Sequence, residues 1–376
     1  MGTKEQRAER SYLLEVWRDK YLNNLKFTKD SDPIYHHPHI NRILYALNTL
    51  FILMLIHDEM SVETLEGFLA ERQWLQPKEN IEQLSKAGEG NMNVVVKVQT
   101  DQRSFILKQS REYVQKYQDI PAPIERIAVE KAFYIAVSNK KLQAHFPRIL
   151  GYDKDAHVLY MEDLGDCKDM TFLYHQRTIP KNQLDALVKV LYKIHTSEAP
   201  GDFPQNMEMR TLNHQHIFVL PFLEDNGFSL DTVQQGLQDL AAPYKRNTAL
   251  KSVIAGLGNK YLSQGDTLLH GDYYPGSWMS KNEEVYVLDP EFGFVGFPEF
   301  DLGVMAAHLI MATHERRYLD TLGKTYPGPF DKHLVAQLAG VEIMRRLIGL
   351  AQLPLERSIQ EKQALLAMAE ELILSK

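Results

Sequence analysis

Residues 268–301 read LLHGDYYPGSWMSKNEEVYVLDPEFGFVGFPEFD, and two short acidic clusters in this stretch set the expectations for the whole chain. The first is His270-Gly271-Asp272, led into by Leu268-Leu269. The second is Asp289-Pro290-Glu291, led into by Val285-Tyr286-Val287-Leu288. Short apolar runs bounded by turn residues form buried strands, so Asp272 and Asp289 are expected side by side at the ends of paired strands. Carboxylates so placed can divide a task. One, Asp272, orients a hydroxyl and accepts its proton, while Asp289 and Glu291 hold magnesium against phosphate oxygens. Residues two apart on an extended segment point to the same side, which puts Asp289 and Glu291 together. The plainer reading makes these acids turn caps. A metallohydrolase is the other sharp reading, and the clusters of His and Asp ligands it needs are missing.

Upstream, Gly88-Glu89-Gly90-Asn91-Met92-Asn93 precedes a β-rich run, Asn93 to Val98. Glycines there let backbone N–H groups approach phosphates closely. A strand follows, not a helix, so this is not the dinucleotide fingerprint, and a P-loop is absent too. Asn93–Val98 and Ser104–Lys108 flank a polar turn and read as a hairpin. Lys108 on its second strand can reach α/β-phosphates as a point charge; the alternative is an edge-strand lysine facing water. A helix is expected over Ile124–Val137, with Ile127, Glu130, Phe133 and Ile135 recurring at its turns. Glu130 would pair with Lys108 and fix it; the alternative is an ordinary surface glutamate. Strands at Ile149–Tyr152 and His157–Met161 then lead to an acidic linker, Glu162-Asp163-Leu164-Gly165.

At 376 residues the chain suits two domains and an extension. Its hydrophobic share of 44% and charged share of 24% are those of a soluble globular protein. A net charge of -7 gives no general affinity for nucleic acid or an anionic membrane surface. ATP is still admissible, because a local lysine and a metal ion neutralise its phosphates. The single cysteine, Cys167, excludes an internal disulfide and a Cys-based zinc site and points to a reducing cytoplasm. The first residues are charged and lack the apolar core of a secretory signal. The most apolar run, Ile43 to Ile56, falls short of the roughly 20 residues a membrane span needs and contains Asn48, so a buried helix is expected there.

Residues 1–80 read as a helical extension, 81–164 as a small ATP-binding lobe and 165–376 as a mainly helical lobe carrying catalysis and substrate. In the extension, Leu13, Val16, Trp17, Tyr21 and Leu25 recur at helical spacing, and Ser61 is placed to cap a helix running through Ala70. In the large lobe, helices are expected over Gln183–His195, within 229–262, and over Phe300–Thr313, Asp331–Leu350 and Ser358–Ser375.

Together these motifs resemble the methylthioribose kinases, within the aminoglycoside phosphotransferase and choline kinase group of kinase-like folds. The resemblance rests on GEGNMN, ILKQS, MEDL at 161–164, HGD with its following Gly-Ser, DPEF, and VEIMRRLIGLA at 341–351, and covers roughly residues 85–350. It implies an α+β, two-lobed protein-kinase-like fold, with an antiparallel sheet and one helix in the N-lobe. It further implies that the glycine loop, with Gly88, Gly90 and Asn93, lines the phosphates that Lys108 holds. Glu162 and Leu164 would meet adenine through their backbone, Asp272 would be the base, and Asp289 and Glu291 would bind Mg2+. Arg345 and Arg346 would hold the substrate. Consecutive helical residues diverge by about 100°, so one arginine would face sugar while the other braces the site; the plain alternative is a charged helix face.

Departures from the family pattern fall on the acceptor side. Where the family tends to read HGDLHTGS, this chain has Tyr273, Tyr274 and Pro275, two rings beside the base that would shape the acceptor pocket. Ser277 stands where the wider group commonly has an Asn metal ligand, and Tyr117–Pro123 lacks the Trp of the family's GESWP-like stretch. The expected activity is ATP- and Mg2+-dependent transfer of the γ-phosphoryl to a small-molecule hydroxyl, methylthioribose or a related sugar first. Another sugar, homoserine, choline or an aminoglycoside are the alternative acceptors, the last two disfavoured by the arginine pair. A non-catalytic nucleotide-binding regulator, or a scaffold that forms a homodimer through its N-terminal helices, are the other classes.

Overall fold

Ser61 opens the first helix among the described residues as its residue type dictates: its hydroxyl accepts from the Thr64 N–H at 3.2 Å. The computed structural model describes residues 55–88, 90–138 and 142–375; the helix expected over 13–25 and all but the last two residues of that expected over 43–56 lie outside them, and Leu55 and Ile56 are not helical. Helix α1 (Val62–Glu71) buries Leu65, Phe68 and Leu69. It packs onto the small lobe. Arg72 pairs with Asp153, Glu66 accepts from the Ile81 N–H at 3.2 Å, and Trp74 stacks on Tyr160 with centroids 5.1 Å apart. Residues 56–80, read as part of an extension, thus cover the N-lobe sheet.

That sheet comprises β1 (Ile81–Lys86), β2 (Val94–Thr100), β3 (Ser104–Gln109), β6 (Ile149–Asp153) and β7 (Val158–Glu162), in the order β1-β2-β3-β7-β6. All of its pairs are antiparallel. A short hairpin, β4 (Tyr113–Val114) and β5 (Tyr117–Pro121), and helix α2 (Arg126–Ala136) separate β3 from β6. Strand β1 was not among the expected elements; IEQLSK holds two apolar residues and no alternation. With β2 on one side and β7 on the other, β3 is interior, so Lys108 is no edge lysine and is 3% exposed. On α2 the buried positions are Arg126, Ile127, Val129, Glu130, Phe133 and Tyr134, whereas Ile135 is 53% exposed.

The C-lobe runs through β8 (Lys168–Asp169), α3 (Phe172–Gln176), α4 (Lys181–His195) and α5 (Met207–His214), followed by a π-helical turn, Gln215–Val219. Helices α6 (Leu237–Arg246) and α7 (Thr248–Leu262) precede β9 (Thr267–Leu269), β10 (Trp278–Lys281), β11 (Glu284–Val287) and β12 (Phe294–Gly296). Four helices close the chain: α8 (Glu299–Thr313), α9 (Arg317–Thr325), α10 (Lys332–Ile348) and α11 (Ile359–Leu374). Helix α8 is buried from Glu299 to Ala312, its apolar residues spread round the helix and its Asp301 and His308 hydrogen-bonded within the core, and forms the spine of the lobe. Asp331 caps α10, and Ser358 with Glu361 forms a capping box on α11.

The strands leading into the acidic clusters do not pair with each other. Strand β9 pairs with β12 and β11 with β10. The reason is local: Asn282 and Glu283 both adopt positive φ, 48° and 71°, in a two-residue turn that folds β11 back on β10. The α+β, two-lobed kinase-like fold is otherwise as expected. Among the described residues no helix is long and apolar enough to cross a membrane.

Candidate active site

The loop between β9 and β10 is held from beneath by Asp301, at the start of α8. Its buried carboxylate accepts from the His270 N–H at 2.8 Å and the Gly271 N–H at 3.0 Å. His195 approaches the same carboxylate through Nε2 at 3.1 Å, and the Tyr326 hydroxyl lies 2.8 Å from the other ring nitrogen. Gly271 is obligatory: φ is +84°, and a Cβ would lie 2.2 Å from the Phe292 carbonyl. His270 Nε2 donates to the Leu288 carbonyl at 2.9 Å, so Nδ1 is the acceptor for the Asp272 N–H at 3.3 Å. Ser277 donates to the Asp272 carbonyl at 2.9 Å. These bonds fix the Asp272 backbone and leave its carboxylate 19% exposed at the pocket, where Arg346 Nη2 is 3.3 Å away. Burial pushes the Asp272 carboxyl up to about 6; Arg346 and Arg345 oppose this, and Glu342 and Asp289 add to it.

Across the cleft, Lys108 Nζ lies 2.7 Å from Glu130 Oε2 and 2.5 Å from Asp289 Oδ1. Against the cost of burial, Asp289, Glu130 and Glu291 hold the ammonium well above its ordinary pKa, so it stays charged. Asp289 has a left-handed backbone, φ 61°, and a side chain half exposed to the cleft. Glu291 is buried. Its Oε2 accepts from Asn93 Nδ2 at 2.8 Å and lies 3.2 Å from Arg126 Nε. Asn93, expected at the phosphates, therefore spends its amide on Glu291 and on Arg126, whose Nε donates to Oδ1 at 2.9 Å. Gly88 and Gly90 shape the loop with φ of +75° and +40°, and a Cβ on Gly90 would lie 2.6 Å from the Asn93 carbonyl.

Arg126 escaped sequence reasoning. It is fully buried, and its guanidinium also donates to the carbonyls of Arg111, Pro123 and Met92 at 2.6–2.8 Å. One side chain thus ties the glycine loop, the segment after β3, the start of α2 and Glu291. Its one signal was position: Arg126 stands four residues before Glu130 on a helix that packs against the cleft. At the hinge, the Glu162 N–H donates to the Arg148 carbonyl at 2.9 Å and the Leu164 carbonyl accepts from Lys281 at 3.1 Å.

The third wall is α10. Glu342 accepts from Arg345 Nη1 at 2.9 and 3.0 Å and from Arg346 Nε at 2.6 Å. The Arg346 guanidinium sits 4.8 Å from the Tyr274 ring centroid. Tyr273 does not line the pocket as expected. It is fully buried, packs against Trp278 and His270, and its hydroxyl donates to the Leu187 carbonyl at 2.8 Å. Arg345 keeps a buried Nε with no partner among the described residues. Glu342 was legible from its spacing, three and four residues before the arginines; Asp301 and His195 carry no local signal.

A basic residue held by acids, an acid at a loop end and an arginine pair opposite make a site for moving a phosphoryl group. Residues 83–337 match the model of the phosphotransferase enzyme family, and the chain belongs to that family. Among its relatives, the methylthioribose kinase of Exiguobacterium sibiricum is 26% identical over 297 residues, 73% of this chain and 74% of that protein. That of Bacillus velezensis is 26% identical over 330 residues, 73% of this chain and 82% of that protein. A spectinomycin phosphotransferase, solved with ADP and spectinomycin, shares the fold: TM-score 0.50, 14% identity, 84% of this chain and 98% of the other. The expected class, a small-molecule phosphotransferase with a hydroxyl acceptor, is met.

Proposed function

We propose that this protein transfers the γ-phosphoryl of ATP, with Mg2+, to a hydroxyl of a methylthioribose-like sugar. The observation that carries the reading is Lys108, buried and charged between Glu130 and Asp289, with Asp272 near enough for its carboxyl to feel Asp289. Glycine-loop N–H groups and Lys108 would receive the phosphates, and the backbone of Glu162 and Leu164 would meet the base at the hinge. The carboxylates of Glu130, Asp289 and Glu291 outnumber the cations Lys108 and Arg126 by one. Burial also raises the Glu291 carboxyl, a strain a cation would relieve. The donor set therefore suits Mg2+, which needs few protein oxygens; Asp289 and Glu291 would hold it, and it would supply charge neutralisation on the phosphates.

Asp272 would orient the acceptor hydroxyl toward the phosphorus and take its proton as the new bond forms. Arg345 and Arg346 would line the acceptor side, their charge balanced by Glu342 and Asp272. The methylthioribose kinases among its relatives favour a sugar of that class.

The test is ADP release over methylthioribose, ribose analogues, amino alcohols and aminoglycosides, with Asp272→Asn as control. Sugar-dependent turnover is expected, with kcat reduced about 10²–10⁴-fold in the control and ATP binding retained. Turnover favouring a cationic acceptor would refute the substrate class, and a fully active Asp272→Asn the base.

A further inference from the structure

Glu342 lies outside the phosphoryl-transfer chemistry itself, yet it is 2% exposed and has more charged donors than any other group at the acceptor wall. Besides the two arginines it meets His308 Nε2, from α8, at 3.1 Å. A carboxylate only accepts, so Nε2 carries the imidazole proton, and Nδ1 accepts from the Tyr174 hydroxyl at 2.6 Å. Burial pushes His308 down to about 4, the hydrogen bond to Glu342 opposing, so the ring is neutral. Tyr174 and His308 thus fix Glu342 from behind.

In front, Arg346 is shared unequally. Its Nε is 2.6 Å from Glu342 and its Nη2 is 3.3 Å from Asp272. Ion-pair hydrogen bonds of this kind settle at about 2.7–2.9 Å, and an arginine released beside a carboxylate closes into a two-bond fork that occupies both oxygens. We propose that Glu342, fixed by His308, is a positioning residue that tethers Arg346 short of Asp272 and so keeps the carboxylate available to the acceptor hydroxyl. The charged and titratable groups facing Asp272 are Arg345, Arg346 and Glu342 from α10, Asp289 from the loop after β11, Tyr274 from its own loop, Tyr174 from α3 and Tyr261 from α7. Of these, Arg346 makes the ion pair with it. The inference rests on the proposed role of Asp272.

The experiment is steady-state kinetics of the full chain, with ATP and the best acceptor of the screen. Glu342→Gln should lower kcat about 100-fold, the cost of a misplacement of about 1 Å, with the KM for ATP unchanged. Adding Arg346→Ala to Glu342→Gln should recover part of the lost kcat, because the guanidinium that closes on Asp272 is gone, while the KM for the acceptor that Arg346 would bind rises. Losses that multiply would overturn the tether, as a purely structural role predicts. His308 offers a second route if Glu342→Gln does not fold. His308→Leu should lower kcat and His308→Gln restore it, since a glutamine amide can donate to Glu342; equal rates in the two would overturn the proposal. Asp272→Asn separates the levels. If it is fully active the base assignment fails, whereas an inactive Asp272→Asn beside a wild-type-like Glu342→Gln removes the tether alone.

Discussion

Asp272 is an aspartate made basic by its surroundings. Taking its side chain out of water costs the anion more than Arg346 and Arg345 return, and its carboxyl rises from 3.8 to about 6. A base works deprotonated, so kcat/KM should fall as pH drops through about 6 and level off above it. A pH profile measured with an uncharged acceptor checks this; a plateau continuing to pH 4 would contradict the assigned surroundings. Which residues would serve was readable, since the acids and Lys108 stand in short motifs. Their environments were not. Tyr273 and Tyr274 are adjacent in sequence and indistinguishable by type, yet the first is core and the second lines the arginine wall. Only the packing of α4 and β10 against the loop separates them.

Elements explain what holds the residues in place. Strands β2 and β3, helix α2 and most of the long C-lobe helices were legible, because periodicity and caps are local. Strand β1 lacks alternation, and the partners of β9 and β11 depend on a turn at Asn282-Glu283 rather than on the apolar runs themselves. Arg126 is the element-scale keystone, joining the glycine loop, the segment before α2 and Glu291. Arg126→Met should leave the buried Glu291 carboxylate without its ion-pair partner and cost about 3–5 kcal/mol. Arg126→Lys should not rescue it, since a lysine has no fork to span several carbonyls. Urea denaturation of the three proteins measures both statements.

At the scale of the molecule, charge links the two lobes across the cleft, beside the apolar contact of Phe133 with His270. Lys108 to Asp289, and Asn93 with Arg126 to Glu291, link the sheet lobe to the helical one. A ligand spanning that junction should stabilise both lobes together. MgATP at about 100 times its Kd would add about 2.7 kcal/mol, read as a rise in Tm. Adding EDTA should shrink that rise, and an unchanged shift would argue against the Asp289 and Glu291 metal site.

The clamp of Asp301 on the His270 and Gly271 amides has a consequence for motion. Loop amides ordinarily trade their protons with solvent quickly, because local opening suffices. Here both donors end on a buried carboxylate that also engages His195, so opening them means opening the α8 spine. In deuterium-exchange mass spectrometry the 268–272 segment should therefore exchange as slowly as α8 itself. The clamped start of this loop is expected to hold still while substrates enter and leave.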